Sequence, residues 1–215
     1  LDVGTGPGFF AINLALAGHE VTAVDVTEHM IWHARQNAES YGANVTFLVQ
    51  RGEFLPFEDG SFDLIVSRNV IWNLEYPEEA LAEWARVLAP GGRMVYFDAN
   101  WYLYLYDEEL RAKKEAAAAA FQTRHSSYHS ANSLSPQRIR ELEQTAYALP
   151  LSSKKRPEWD CEILRKLGMD VVQIVDDIGP GVQDPIEWER DAPVHTFMVC
   201  AEKCASSYPK EKVEA

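Results

Sequence analysis

Leu1-Asp2-Val3-Gly4-Thr5-Gly6-Pro7-Gly8-Phe9 is the stretch that decides the fold. Residues 1–3 read as the end of a strand, residues 4–8 as a tight turn, and residues 9–17 as a helix closed by Gly18. Three glycines at alternate positions between a strand and a helix let the backbone come close to a ligand at the carboxyl edge of a sheet. A dinucleotide site wants a small residue at the sixth position of such a fingerprint, where helix and strand pack together. Phe9 stands there, which weighs against a dehydrogenase.

Outward from this turn the strand and helix periods alternate. Residues 21–26 form an apolar, β-branched run ending beside Asp25, the pattern of a buried parallel strand. Thr27 caps the next helix, in which Met30, Ile31, Ala34, Ala38 and Tyr41 share a face before Gly42 stops it. Residues 45–49 and 62–67 read as two further strands, the second announced by the Asp59-Gly60 turn. Pro77 sits at a first helical position, Leu81, Trp84 and Leu88 make an apolar stripe, and Pro90-Gly91-Gly92 ends the helix. Residues 93–98 are then a fifth strand. This alternation predicts an α/β, Rossmann-like, doubly wound and mostly parallel seven-stranded sheet.

The rhythm breaks at Asn100. Residues 100–157 carry no strand pattern but two helical stretches, one capped by Asp107 and running through the alanine tract at 116–120, the other opened by Ser135-Pro136. That is longer than a plain crossover requires and predicts a helical lid inserted after the fifth strand. A helix at 157–167 ends at Gly168. Residues 170–178 and 195–202 read as an antiparallel strand pair joined through the Gly179-Pro180-Gly181 turn. The expected division is a ligand-binding half at 1–99, a lid at 100–157, a closing helix and strand pair at 158–203, and a polar tail at 204–215.

Composition narrows the function classes. In 215 residues, 47% are hydrophobic and 25% charged, ordinary for one globular domain with an insertion. Twenty basic residues face 33 acidic ones, a formal charge of −13, so the chain lacks the positive footprint that nucleic acid or an anionic membrane selects. No apolar run reaches the roughly 18 residues of a membrane span. Three cysteines, Cys161, Cys200 and Cys204, are too few for a disulfide framework and point to a reducing, cytoplasmic setting. The opening without Met reads as a chain whose beginning lies elsewhere, with any targeting signal outside view.

Four motifs in order carry a family resemblance: residues 1–9; Asp25 with Met30; Leu55-Pro56-Phe57-Glu58-Asp59-Gly60-Ser61-Phe62-Asp63; and Arg86-Val87-Leu88-Ala89-Pro90-Gly91-Gly92. Together they resemble the class I S-adenosylmethionine-dependent methyltransferases, most of all the group that includes the ubiquinone and menaquinone C-methyltransferases. The resemblance implies S-adenosyl-L-methionine as cofactor, S-adenosyl-L-homocysteine as product, and methyl transfer to a small organic acceptor. It places Asp2, Gly4, Thr5, Gly6 and Gly8 at the methionine moiety, and Asp25 at the ribose, where a carboxylate can accept both hydroxyls. Val26 and Met30 would pack on the adenine, Gly52, Glu53 and Phe54 would flank its edge, and Arg68 and Asn69 would line the floor near the sulfonium. One departure stands out: Arg51 occupies a position where the family often has an acid, and arginine has no acceptor for the adenine amino group.

Substrate-side residues are sparser. Trp72, Trp101, Tyr102, Tyr104 and Tyr106 are candidates for an acceptor pocket, because four of them follow the fifth strand. No general base stands out and no catalytic residue is assigned. His125 and His129 are four apart but lie in a serine-rich stretch, and His195 opens a strand, so no metal site is expected. The alternative function is a non-catalytic protein that binds S-adenosylmethionine or S-adenosylhomocysteine. The acceptor, its reacting atom and the oligomeric state remain open.

Overall fold

The computed structural model describes residues 1–126 and 134–205. Its elements run β1 (Asp2–Val3), α1 (Phe9–Leu16), β2 (Val21–Asp25), α2 (Glu28–Tyr41), β3 (Val45–Val49), β4 (Phe62–Arg68), α3 (Pro77–Val87), β5 (Leu88–Ala99), α4 (Glu108–Arg124), α5 (Pro136–Ala146), α6 (Glu158–Lys166), β6 (Met169–Val175), α7 (Gly179–Val182), α8 (Pro185–Asp191) and β7 (Thr196–Lys203). The sheet order is β3-β2-β1-β4-β5-β7-β6. β1 to β5 pair in parallel, and β7 lies antiparallel between β5 and β6. This is the doubly wound, seven-stranded sheet that the sequence predicts, with the helical insertion following β5.

Alternation along β2 splits the core into two layers. Val21 and Ala23 face Ala11 and Ile12 of α1 and Ile31, Ala34 and Ala38 of α2. Val24 faces the opposite side, with Val3, Ile65 and the fully buried Leu81 and Trp84 of α3 and Leu164 of α6. A strand covered on both faces has no polar side to show, which is why these strands read as nearly continuous apolar runs. The strand order reverses between β1 and β4, and ligands bind outside the carboxyl ends of strands at such a switch point. The glycine turn leaves β1 there, and Arg68 and Asn69 leave β4 beside it.

Two local expectations are corrected. Pro90-Gly91-Gly92 does not terminate α3; the chain enters β5 at Leu88, directly after Val87, and the three residues sit within the strand. Phe62 pairs with Leu88 and Leu64 with Arg93, so the extra residues are looped out of the ladder, with Gly91 taking a φ of 77°. The link between β6 and β7 is not a simple turn either. Asp177 Oδ1 accepts from Gly179 N at 2.8 Å, and Asp184 Oδ1 accepts from Ile186 N at 2.9 Å, starting the short α7 and α8. Aspartate accepting from free backbone N–H groups at a helix start is the physical reason the chain coils there.

In the lid, Asp107 Oδ1 accepts from Leu110 N and Ser135 Oγ from Arg138 N, which caps α4 and α5 as expected. No helix among the described residues is long and apolar enough to cross a membrane. Residues 127–133, His129 among them, and the tail from 206 onward lie outside the described residues.

Candidate functional site

The glycine turn is held from below by Asp2. This side chain is only 2% exposed; its Oδ2 accepts from Thr5 Oγ at 2.6 Å and from Ala11 N, in α1, at 3.0 Å. Burial pushes its carboxyl above the ordinary range, against the opposing pull of those two hydrogen bonds. Gly4 N and Thr5 N donate to Val24 O at 2.8 and 3.0 Å, pinning the turn to the end of β2. Gly4 has a φ of 70°, and a Cβ there would collide with the Val70 side chain. Gly6 has a φ of 53° and open space where a Cβ would point.

Asp25 closes the turn from the side. Oδ2 accepts from Gly6 N at 2.9 Å and Oδ1 from Thr27 N at 2.9 Å. Each carboxylate oxygen offers about two lone-pair sites, so one on each remains for a pair of ligand hydroxyls. Beyond Asp25 opens a cavity of about 580 Å³. Of the residues expected to hold the cofactor, Gly4, Gly6, Asp25, Val26, Met30, Gly52, Glu53, Arg68 and Asn69 line it. Val26 and Met30 keep large apolar surfaces exposed there, a wall suited to a flat ring.

Four expected residues stand elsewhere. Asp2 and Thr5 hold the turn from beneath and do not line the cavity. Gly8 starts α1, its missing Cβ allowing close packing against Ala34 of α2. Phe54 is 64% exposed and lies outside the lining. Gln50, Asn73 and Leu74 line the cavity without having been signalled by any motif.

The unusual Arg51 finds its explanation in Glu53. Arg51 Nη2 donates to Glu53 Oε1 at 3.0 Å, and Glu53 is buried in the cavity wall. The arginine thus balances the charge of a carboxylate that lines the cavity next to it. The Gly52 carbonyl between them accepts from Trp84 Nε1 at 2.9 Å, anchoring the loop to α3.

A second cavity of about 460 Å³ opens under the lid. Trp72, Trp101, Tyr102 and Tyr104 line it, with Ile139 and Leu142 from α5. The Trp72 and Tyr102 ring centroids lie 5.7 Å apart, and those of Tyr102 and Tyr104 6.3 Å. Tyr106 faces away and packs on Tyr147. Asn69 borders both cavities. It is the one described non-glycine residue with positive φ, 58°, and is held there by its N–H to Phe97 O and by its carbonyl accepting from Trp72 Nε1. A non-glycine residue in that region costs energy that the surroundings must supply, a feature concentrated at functional sites.

The floor between sheet and lid is a buried charge network with no sequence signature. Arg156 donates to Asp160 twice, to Asp98 once at 2.7 Å, and Tyr96 OH donates to Asp160 Oδ1 at 2.9 Å. Asp98 Oδ2 also accepts from Trp72 N at 3.0 Å. Arg156 follows two lysines in the chain, yet it is 3% exposed because two carboxylates meet it. Only partnered charges are buried at this depth.

The remaining candidates fall outside both cavities. His125 Nε2 lies 3.1 Å from Glu189 Oε2, tying the end of α4 to α8. His195 stacks on Trp188 at 5.3 Å. Cys161 and Cys200 are buried free thiols, and burial raises both. Among the described residues no three His, Cys, Asp or Glu side chains gather as metal ligands.

Residues 1–96 match the family described as a methyltransferase domain. The chain is 41% identical over 100 residues to the demethylmenaquinone methyltransferase of Thermus thermophilus, covering 46% of each. It is 40% identical over 97 residues to the malonyl-[acyl-carrier protein] O-methyltransferase of Erwinia pyrifoliae, covering 45% of this chain and 35% of that protein. The chain thus spans less than half the length of these curated relatives. Among solved structures, the geranyl diphosphate C-methyltransferase of Streptomyces coelicolor, in complex with Mg2+, geranyl diphosphate and S-adenosyl-L-homocysteine, superposes with a TM-score of 0.62 at 15% identity, over 94% of this chain and 71% of that one. At that identity the likeness is one of fold.

Proposed function

We propose that the protein, whose residues 1–96 match a methyltransferase domain, is a class I S-adenosylmethionine-dependent methyltransferase that transfers a methyl group from S-adenosyl-L-methionine to a small organic acceptor. The observation that carries the reading is the pair of cavities meeting at Asn69, one walled by Asp25 and the glycine turn, the other by aromatic rings. The donor and acceptor set fits the cofactor. Asp25 keeps an acceptor site on each oxygen for the ribose hydroxyls, Val26 and Met30 offer an apolar wall to the adenine, and Glu53 offers a carboxylate at its edge. Backbone at Gly4 and Gly6 leaves room for the methionine moiety.

S-adenosylmethionine supplies a sulfonium methyl already activated for in-line displacement by an acceptor lone pair or carbanion. The chain's own work is then orientation and exclusion of water. Asn69 fixes the passage between the cavities, and Trp72, Trp101 and Tyr102 hold the acceptor against it. Ring faces on that path favour a nearby cation. The relatives are named for acceptors as different as demethylmenaquinone and malonyl-[acyl-carrier protein]. The lid, rather than the shared half, is therefore where this chain sets its own acceptor. The acid-rich charge favours a small molecule over nucleic acid as that acceptor.

The test is calorimetric titration of the full-length protein with S-adenosylmethionine and S-adenosylhomocysteine, followed by an acceptor screen read as S-adenosylhomocysteine formation. Micromolar binding of both, with turnover on an acceptor, is the expected result. Binding with no turnover across the screen favours the non-catalytic alternative. Absence of binding to either ligand refutes both.

A further inference from the structure

The lid cavity has two hydrogen-bond donors with nothing to donate to. Trp101 lines the cavity, and its Nε1 is buried with no hydrogen-bond partner among the described residues. Lys114 reaches in from α4 with its Nζ 3.8 Å from the Tyr104 ring centroid. It is half-buried and makes no ion pair among the described residues, unlike its neighbour Lys113, which pairs with Glu109. Burial lowers the Lys114 ammonium, and only the field of Glu143 opposes that. Glu143 is itself engaged, its Oε1 accepting from Tyr104 OH at 2.8 Å. Within this cavity the other titratable groups beside Lys114 are the Tyr102 and Tyr104 phenols, both raised by burial and so neutral, while Lys114 also borders a neighbouring cavity with Arg111, Glu115 and Tyr147.

A buried N–H without an acceptor and a half-buried ammonium without a counterion are both costly in the free protein, and both costs fall when a ligand supplies oxygen and negative charge. The walls around them are aromatic and aliphatic, which calls for a flat apolar body. Glu143 lines the same cavity, so one negative charge is accommodated by Lys114 while a second is opposed by Glu143. We propose that the lid cavity takes an aromatic ligand carrying a single carboxylate, whose charge faces Lys114 and one of whose oxygens accepts from Trp101 Nε1. This rests on the reading of the lid cavity as the acceptor site, and makes the methyl acceptor an aromatic monocarboxylate.

The experiment compares 4-phenylbenzoate, its uncharged counterpart 4-phenylbenzyl alcohol and the dianionic 4-phenylphenyl phosphate, titrated into the full-length protein saturated with S-adenosylhomocysteine. Binding is read by calorimetry and by quenching of tryptophan fluorescence. The carboxylate is expected to bind at least about tenfold tighter than the alcohol, as one charge-assisted hydrogen bond allows, and tighter than the phosphate. Lys114→Met should erase the preference over the alcohol, Lys114→Arg should keep it, and Trp101→Phe should weaken the carboxylate several-fold with an unchanged circular dichroism spectrum. Equal affinities, a preference retained in Lys114→Met, tighter phosphate binding, or binding of none of the three each overturn the proposal. Saturation with S-adenosylhomocysteine is established first, so failure of the cofactor reading is seen separately from failure of this one.

Discussion

Arg156 grips Asp160 through two parallel hydrogen bonds, Nε to Oδ2 at 2.9 Å and Nη2 to Oδ1 at 2.7 Å, at the buried junction where the lid returns to the sheet. Its third nitrogen reaches Asp98 at the end of β5, which in turn accepts from Trp72 N beside the aromatic cavity. Removing the cation leaves two buried carboxylates without a counterion, held only by neutral donors such as Tyr96 OH and Trp72 N, and burial already raises Asp98. Arg156→Met is therefore expected to destabilise the protein by about 3–5 kcal/mol, measured by urea denaturation at neutral pH. Adding Asp98→Asn and Asp160→Asn to it should recover part of the loss. An effect below about 1 kcal/mol for the single variant would remove this network from the fold's support.

Asp25 is the residue whose loss should separate ligand binding from folding. It sits at the surface edge of β2, and its two backbone partners, Gly6 N and Thr27 N, face the cavity and can turn to water. Asp25→Ala is expected to weaken S-adenosylhomocysteine binding by about 1.5–3 kcal/mol, roughly ten- to a hundredfold, the value of hydrogen bonds to a charged group. Thermal stability without ligand should fall far less than the affinity. Calorimetry reads the first and a melting curve the second; equal affinity in the variant would take Asp25 out of the site.

The parts legible in the sequence are those where local chemistry and the global fold agree. Gly4, Gly6 and Gly8 announce a turn because only glycine takes their left-handed backbone without strain, and the β-branched run before Asp25 announces a strand buried on both faces. Asp107 and Ser135 cap their helices as their positions suggest. What stayed hidden depends on contacts far apart in the chain. Arg156 and Asp98 are 58 residues apart, and nothing near either one says that the other will neutralise it. Glu53 was readable as an adenine-edge carboxylate, but its pairing with Arg51 follows from burial that no period reveals. Asp2 and Thr5 belong to the motif yet serve the turn from beneath, because a motif marks residues that the loop requires without saying which of them face a ligand. Pro90-Gly91-Gly92 looked like a stop because proline and glycine end helices as readily as they interrupt strands.

Asp2 should leave a mark on the pH dependence of stability. Its carboxyl is raised by burial, so the native state holds its proton more tightly than the unfolded chain does. Such a group contributes stability that is complete below the unfolded value, about 3.9, and lost as pH climbs through the higher native value. Asp2→Asn retains an oxygen for Thr5 Oγ and Ala11 N but has no charge to desolvate. The stability of wild type relative to the variant is therefore expected to decline as pH rises from about 4 through the weakly acidic range and then level off. Urea midpoints collected at intervals of half a pH unit measure this; a difference that grows in favour of wild type over the same range contradicts the assignment.

Trp84 links core packing to the ligand cavity. Its ring is fully buried in α3, and its Nε1 donates to the Gly52 carbonyl at 2.9 Å, so one side chain serves both the core and the loop that carries Glu53. A Cβ on Gly52 would meet Val3 Cγ1 at 3.0 Å, which shows how closely this loop sits on β1. Trp84→Phe keeps most of the apolar surface, leaves a void where the five-membered ring was, and strips the Gly52 carbonyl of its donor. The stability cost is expected to be about 1–3 kcal/mol from the unsatisfied carbonyl, with a further contribution from the void. Because the loop is released from α3, S-adenosylhomocysteine affinity should fall as well, whereas adenosine-free fragments such as homocysteine should bind as in wild type. Parallel denaturation and calorimetry test the coupling, and a variant that loses stability but binds S-adenosylhomocysteine unchanged would confine Trp84 to the core.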